Sequence, residues 1–181
     1  MTRTATAELV IDCASMNVTS RDDARAVLRE FLVDDVHYRA NAARYGDGGV
    51  EALDRALDLF LERPELGFVW LAFAQRDGQR EPAGACVVCH AISTARGSLV
   101  AKLDDVSIAM RWQRMGVGAA MLRALALHLR QRGFTRIDSS CHRDNVDAWR
   151  FYERLGFRSL DEDRIAWLIG GDRACNASPP L

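Results

Sequence analysis

The chain has 181 residues, 49% apolar and 27% charged, an ordinary globular mixture and enough length for one domain with a sizeable core. Its net charge of −1 gives no ground for a nucleic-acid partner or an anionic membrane surface, and no run approaches the roughly 18 apolar residues of a membrane span. The start, MTRTATAELVIDCASM, holds no unbroken apolar segment of signal-peptide length, so a cytoplasmic location is expected, with the five cysteines reduced and mostly buried.

In chain order, Glu8 to Cys13 reads as a first strand. Ser20 then opens a helix: Ser20 and Asp23 form a capping pattern, and Ala24, Val27, Leu28, Phe31 and Leu32 recur at helical spacing. A polar stretch from Asp34 to Gly49 contains His37, Tyr38 and Tyr45 and ends in the breaker Gly46-Asp47-Gly48-Gly49. Val50 to Glu62 is a second amphipathic helix with Leu53, Leu57, Phe60 and Leu61 on one side, stopped by Arg63-Pro64.

Three strands follow: Phe68 to Ala74, Ala83 to Ile92 and Leu99 to Ile108. Short turns with Gly78 and Gly97 join them, which predicts an antiparallel meander. Val117 to Arg132 is a long helix with Leu122, Leu125 and Leu129 on its core side, closed by Gly133. Arg136 to Cys141 reads as a strand, Val146 to Leu155 as a helix ended by Gly156, and Ile165 to Ile169 as a last strand. No linker separates these elements, so residues 1–170 are expected to form one domain and 171–181 a mobile tail.

Charge is uneven along this layout. Residues 1–63 hold 8 basic and 12 acidic side chains; residues 109–158 hold 10 basic and 4 acidic. A basic second half on a near-neutral chain suits an anionic ligand there or scattered solvated arginines, and charge alone does not choose between them. The segment best built to meet an anion is Gln113-Arg114-Met115-Gly116-Val117-Gly118, between a strand and a long helix. The first turn of a helix aims unpaired N–H groups and the positive end of its dipole at one spot. Gly116 and Gly118 clear side chains from the path of a phosphate, and Arg111 and Arg114 add charge, which makes a workable pyrophosphate cradle. Read alone, the loop serves equally well as a plain glycine turn. It is not a dinucleotide fingerprint, because Ala119-Ala120-Met121 follows and the preceding strands are antiparallel.

The loop resembles the acyl-CoA-binding motif Q/R-x-x-G-x-G/A of the GNAT (Gcn5-related N-acetyltransferase) superfamily. Upstream, Leu103-Asp104-Asp105-Val106-Ser107-Ile108-Ala109 is similar to that family's acidic-apolar strand. Downstream, Asn145-x-x-Ala148-x-x-Phe151-Tyr152-Glu153-x-Leu155-Gly156-Phe157 resembles its second signature. The departures are Met110, where many members have proline, and Met115, in place of a small or basic residue. The resemblance implies an α/β fold: a mixed, mostly antiparallel central sheet flanked by helices, with a splayed strand pair forming the acyl-CoA groove. It also implies an acyltransferase that moves an acetyl group from acetyl-CoA to a primary amine by direct attack, with no metal and no haem. The alternative is a non-catalytic acyl-CoA sensor or structural module on the same fold. The acceptor is a small-molecule amine or a protein or peptide amine, and a homodimer fits such folds.

Residue by residue, the resemblance implies that Val106 and Ile108 offer main-chain groups to the pantetheine arm. It implies that N–H groups from Arg114 through Met115, Gly116 and Val117 to Gly118 hold the pyrophosphate, with Arg111 and Gln113 beside them. Asn145 adds a polar contact to the cofactor arm, and by its position it is also the N-cap of its helix. The resemblance makes Tyr152 the candidate acid for the departing thiolate; its spacing with Ala148 and Leu155 suits ordinary core packing as well. Asp104 is the candidate base, through water. Strand alternation puts it on the face of Val106 and Ile108, and puts Asp105 on the other. The polar stretch with His37, Tyr38 and Tyr45, together with Asp34 and Asp35, is expected to line the acceptor site. Trp70, Trp112, Trp149 and Trp167 read as packing residues.

One competing motif lies elsewhere. Cys86-Val87-Val88-Cys89-His90 matches the C-x-x-C-H of covalent haem attachment. It sits inside a strand, where alternation sends Cys86 and Cys89 to opposite faces, and no second Cys/His pair stands at zinc-ligand spacing. It is expected to be a central strand, with the direction of His90 left open.

Overall fold

The computed structural model describes residues 9–36, 38–40 and 48–160. The expected strand Ile165–Ile169, the tail 171–181, Trp167, His37 and Tyr45 lie outside the described residues.

Strand β1 (Val10–Ser15) leads into helix α1 (Arg21–Asp34), then α2 (Gly49–Glu62) and the meander β2 (Gly67–Arg76), β3 (Gln79–Ser93) and β4 (Ser98–Ile108). Helix α3 (Val117–Gln131), the short strand β5 (Ile137–Ser139) and α4 (Val146–Arg154) complete the described chain. The five strands lie side by side in chain order. β1 to β4 pair antiparallel, and β4 pairs β5 in parallel. This is the expected mixed, mostly antiparallel sheet.

Local chemistry explains the main joints. The β2–β3 hairpin turns through Asp77 and Gly78, both at positive φ (53° and 79°), the pairing that suits the strands' twist. Helix α1 starts differently from the expectation. The Ser20 side chain makes no capping bond to α1. Instead, Asn17 Oδ1 accepts from the Thr19 and Ser20 N–H groups, and Ser20 Oγ accepts from Asn17 N, forming a capping box on a 3-10 turn one step earlier. Asparagine is among the best N-capping residues, so the chain uses the first available cap.

The sheet carries a core on each face. On one side Ala24, Val27 and Leu28 of α1 and Leu57 of α2 pack on Val69, Leu71, Phe73, Ala85 and Val87. Arg21 and Arg25 bond across α1 and α2 to Asp58 and Asp54, at 2.7 Å each. On the other side Val117, Met121, Leu122, Leu125 and Leu129 of α3 pack on Phe68, Trp70, Ala72, Cys86, Val88 and Leu103. The Trp70 indole N–H donates to the Met121 carbonyl at 3.2 Å and ties α3 to the sheet. With both faces covered, β2 is buried over eight successive residues.

Two irregularities set the surroundings of β4. The β4–β5 ladder holds three pairs, the last Leu103 with Ser139; β4 then runs on to Ile108 with no strand of the described residues on that edge. On its other edge β4 slips register against β3: Cys86 faces Val106, but Val88 faces Leu103. Asp104 and Asp105 together oppose Val87, which is a β-bulge.

Candidate active site

The opening between β4 and β5 follows from the ladder. The Ala101 N–H donates to Arg136 and the Leu99 carbonyl accepts from Thr135, so alternate main-chain groups of β4 face β5. Counting forward by twos, and adding the extra residue at the bulge, brings Val106 and Ile108 to that same edge beyond the last pair. These are the two residues expected to offer main-chain groups, and they lie beyond the last pair of the β4–β5 ladder.

β4 runs straight into the loop. The Met110 N–H donates to Glu30 Oε1 of α1 at 2.6 Å, and the Gln113 side-chain amide donates to the Ile108 carbonyl at 3.0 Å. Gln113 therefore staples the loop to the end of β4. Arg114 adopts a left-handed backbone (φ 60°), as does Gly116 (φ 86°). Gly116 is the N-cap of α3 and offers no side-chain cap, so the first-turn N–H groups of α3 face outward without one. A Cβ on Gly116 would meet no protein atom within 4 Å, so the glycine borders open space at the helix start. Gly118 does something the sequence did not announce. A Cβ there would lie 3.2 Å from Phe151 Cζ and 3.4 Å from Ile108 Cγ1, so this glycine lets α3 close on α4 and β4.

The two arginines of the loop are already partnered. Arg111 pairs with Glu81 at 2.9 Å and Arg114 with Asp147 of α4 at 2.8 Å. The cradle's positive character therefore rests on the N–H groups and dipole of α3 more than on free guanidinium charge. Met115 packs at the border of the α3-side core.

Asn145 caps α4, its Oδ1 accepting from Ala148 N at 3.0 Å. That cap aims the helix so that Tyr152 is 9% exposed, packed with Cys86, Val88 and Leu103 in the α3-side core. Phe151 and Phe157 flank its ring, with centroids at 5.4 and 5.1 Å. Burial pushes the Tyr152 phenol up to about 12, a hydrogen bond with Ser139 works the other way, and the nearby Cys86, Cys141 and Asp105 push it up further. The core role and the site role are not exclusive: the ring is core, and the hydroxyl sits where β4 and β5 part.

The two carboxylates need a correction. Strict alternation would place Asp104 with Val106 and Ile108, but the bulge breaks alternation at that point. Leu103 and Val106, three residues apart, both pack on the α3-side cluster. Asp105 is half-buried and acts on Tyr152 and Cys86. Asp104 is exposed, and both carboxylates act on Cys89, which packs on the opposite core. The sequence alone could not reveal this, because a bulge is a property of two strands in register.

The remaining expectations resolve simply. Cys86 lies in the α3-side core and Cys89 borders the α1-side core, so the C-x-x-C-H thiols do sit on opposite faces. His90 turns toward Phe68 and Phe134, with Nδ1 3.0 Å from the Glu65 carbonyl, where β4 and β5 are still paired. It stands away from the opening. Tyr38 lies tilted against Phe31, with ring centroids 5.2 Å apart. Trp70 and Trp112 are buried. No helix among the described residues is long and apolar enough to cross a membrane.

Residues 32–157 match the acetyltransferase (GNAT) family. Among solved structures, a probable acetyltransferase superposes with a TM-score of 0.65 at 22% identity, covering 89% of this chain and 99% of its own. A ribosomal-protein-alanine N-acetyltransferase from Brucella melitensis biovar Abortus 2308 gives 0.64 at 12% identity, covering 88% and 99%. A glucosamine-6-phosphate N-acetyltransferase from Arabidopsis thaliana gives 0.63 at 14%, also covering 88% and 99%. At these identities the likeness is one of fold.

Proposed function

The chain belongs to the acetyltransferase (GNAT) family, and on that premise we propose that it transfers an acetyl group from acetyl-CoA to a primary amine by direct attack. The observation that carries this reading is the parting of β4 from β5 after Leu103 and Ser139, with the freed edge of β4 running into an uncapped start of α3. A ligand with a long amide-bearing arm and a diphosphate matches that sequence of groups: edge N–H and C=O at Val106, the N–H of Ile108 (its carbonyl already accepts from Gln113), then N–H groups from Arg114 to Gly118.

In this reading the β4 edge and the cradle orient the thioester, which removes much of the entropic cost of attack. Asp105, through water, takes the proton of the incoming amine. Tyr152 is protonated at neutral pH, as an ordinary phenol is; burial holds the proton more tightly still, and the phenol donates to the departing thiolate. A sensor without turnover needs only the cradle; a buried phenol and a half-buried carboxylate at the parting of the strands favour transfer.

The acceptor is an amine reaching the site from the segment of Asp34, Asp35 and Tyr38. Polyamines, amino acids, aminoglycosides, amino sugars and peptide N-termini form the panel to screen by release of free CoA. The decisive variant is Tyr152→Phe. Binding of acetyl-CoA stays at the wild-type level while transfer falls by about a hundredfold or more. Wild-type transfer rates in that variant would sink the acid role of Tyr152.

A further inference from the structure

Tyr152 has a neighbour that belongs to neither sequence signature. Ser139 is the last residue of β5, paired with Leu103 at the point where β4 and β5 part. Ile137, two residues earlier on the strand, packs on the core cluster that contains Tyr152, and so does Cys141, two residues later. Strand alternation sends Ser139 to that same face. Its hydroxyl lies close enough to the Tyr152 phenol to favour the phenolate, against the effect of burial. Ser139 is half-buried, whereas Tyr152 is buried.

We infer that Ser139 is a positioning residue for acetyl transfer: its hydroxyl holds the Tyr152 phenol at the apex and donates to the phenolate formed when the tyrosine proton leaves. The inference rests on the reading of Tyr152 as the acid. As the amine nitrogen bonds to the acetyl carbon, the carbon–sulfur bond breaks and sulfur departs with the electron pair. The Tyr152 O–H proton passes to sulfur. The phenolate is held by the Ser139 O–H until the proton lost by the acylated nitrogen, relayed through Asp105 and water, restores it. A phenolate in this apolar corner is costly because burial, Cys86, Cys141 and Asp105 all oppose it, and the serine bond is the contribution that favours it. A hydrogen bond to a charged group is worth more than one between neutral groups, so its loss falls mainly on the transition state.

The test uses Ser139→Ala, Ser139→Thr, Tyr152→Phe and the double variant Ser139→Ala/Tyr152→Phe. Free-CoA release from acetyl-CoA is measured with the best amine of the panel and with water alone. Ser139→Ala lowers kcat about ten- to a hundredfold and leaves the KM for acetyl-CoA unchanged, and Ser139→Thr, which keeps the hydroxyl, recovers most of the loss. The double variant matches Tyr152→Phe alone, because the serine acts only through the tyrosine. If Ser139→Ala folds poorly, Ser139→Cys, nearly the same size with a weak donor, is read in its place with the same expectation. A wild-type kcat in Ser139→Ala beside an impaired Tyr152→Phe overturns the serine's role alone. A double variant slower than Tyr152→Phe also overturns it. A wild-type kcat in Tyr152→Phe overturns the acid reading and this inference with it, as does the absence of any turnover with every amine and with water.

Discussion

Gly116→Ala separates the backbone demand of the cradle from its ligand demand. The residue holds φ at 86°, and forcing alanine into a left-handed conformation costs roughly 1–2 kcal/mol. Alanine also narrows the unfolded ensemble, which returns about 0.4–1 kcal/mol. The net loss is then about 1 kcal/mol, or roughly 2–4 °C in Tm for a chain of this size. The new methyl meets no protein atom within 4 Å, so no packing term adds to that. It does enter the open space at the start of α3, where the diphosphate is proposed to lie. Thermal unfolding followed by circular dichroism, with and without CoA, reads both effects. At a hundred times its Kd, CoA raises wild-type stability by about 2.7 kcal/mol; in Gly116→Ala most of that shift is lost, beyond the small apo deficit. Gly118→Ala is the control. It gains up to about 1 kcal/mol of helix propensity but sets a methyl 3.2 Å from Phe151 Cζ, so its apo stability stays close to wild type. If Gly116→Ala keeps the wild-type Tm and the full CoA shift, neither the strain nor the cradle argument stands.

Tyr152 makes stability fall at high pH. Its folded value of about 12 lies above the ordinary phenol value of 10.0, so the folded state binds the proton more tightly. Stability is complete below about pH 10 and is lost as pH rises toward 12, by roughly 2–3 kcal/mol in total; urea titrations of Tyr152→Phe across that window should lack this part of the slope. Asn145→Ala removes the acceptor of the Ala148 N–H and should cost about 1 kcal/mol, read as a lower urea midpoint and faster amide exchange in α4. Asp105→Asn should slow transfer by about a hundredfold or more while Asp104→Asn leaves kcat near wild type; the reverse order would restore Asp104 as the base. The loop arginines differ from free cations, so Asp147→Asn should tighten CoA binding at low salt by releasing Arg114, with the gain fading as salt rises.

Much of the architecture was readable along the chain because its elements are set by local pattern. The helices at Val27, Leu28, Leu57, Met121 and Leu125 bury what their spacing offers, and the turns at Gly78 and Gly97 fall where positive φ is needed. The two signatures, at residues 103–118 and 145–157, pointed to the family by resemblance. Asn145 could be assigned as a cap because capping depends on residues three apart.

What stayed hidden depends on partners distant in sequence. The bulge at Asp104 and Asp105 exists only relative to Val87, and it breaks the alternation that would put Asp104 on the face of Val106. Gly118 looks like a second phosphate glycine until Phe151 is seen against it. Arg111 and Arg114 look like free charge until Glu81 and Asp147 arrive from other elements. Ser139 carries no signal of its own; only the end of the β4–β5 ladder gives it a place. The sequence by itself determined the family and the order of elements, because motif residues and apolar spacing along the chain encode both. Tertiary structure alone decided the side-chain faces at the bulge, the pairing of the loop charges and the surroundings of the phenol, because register and packing arise between segments.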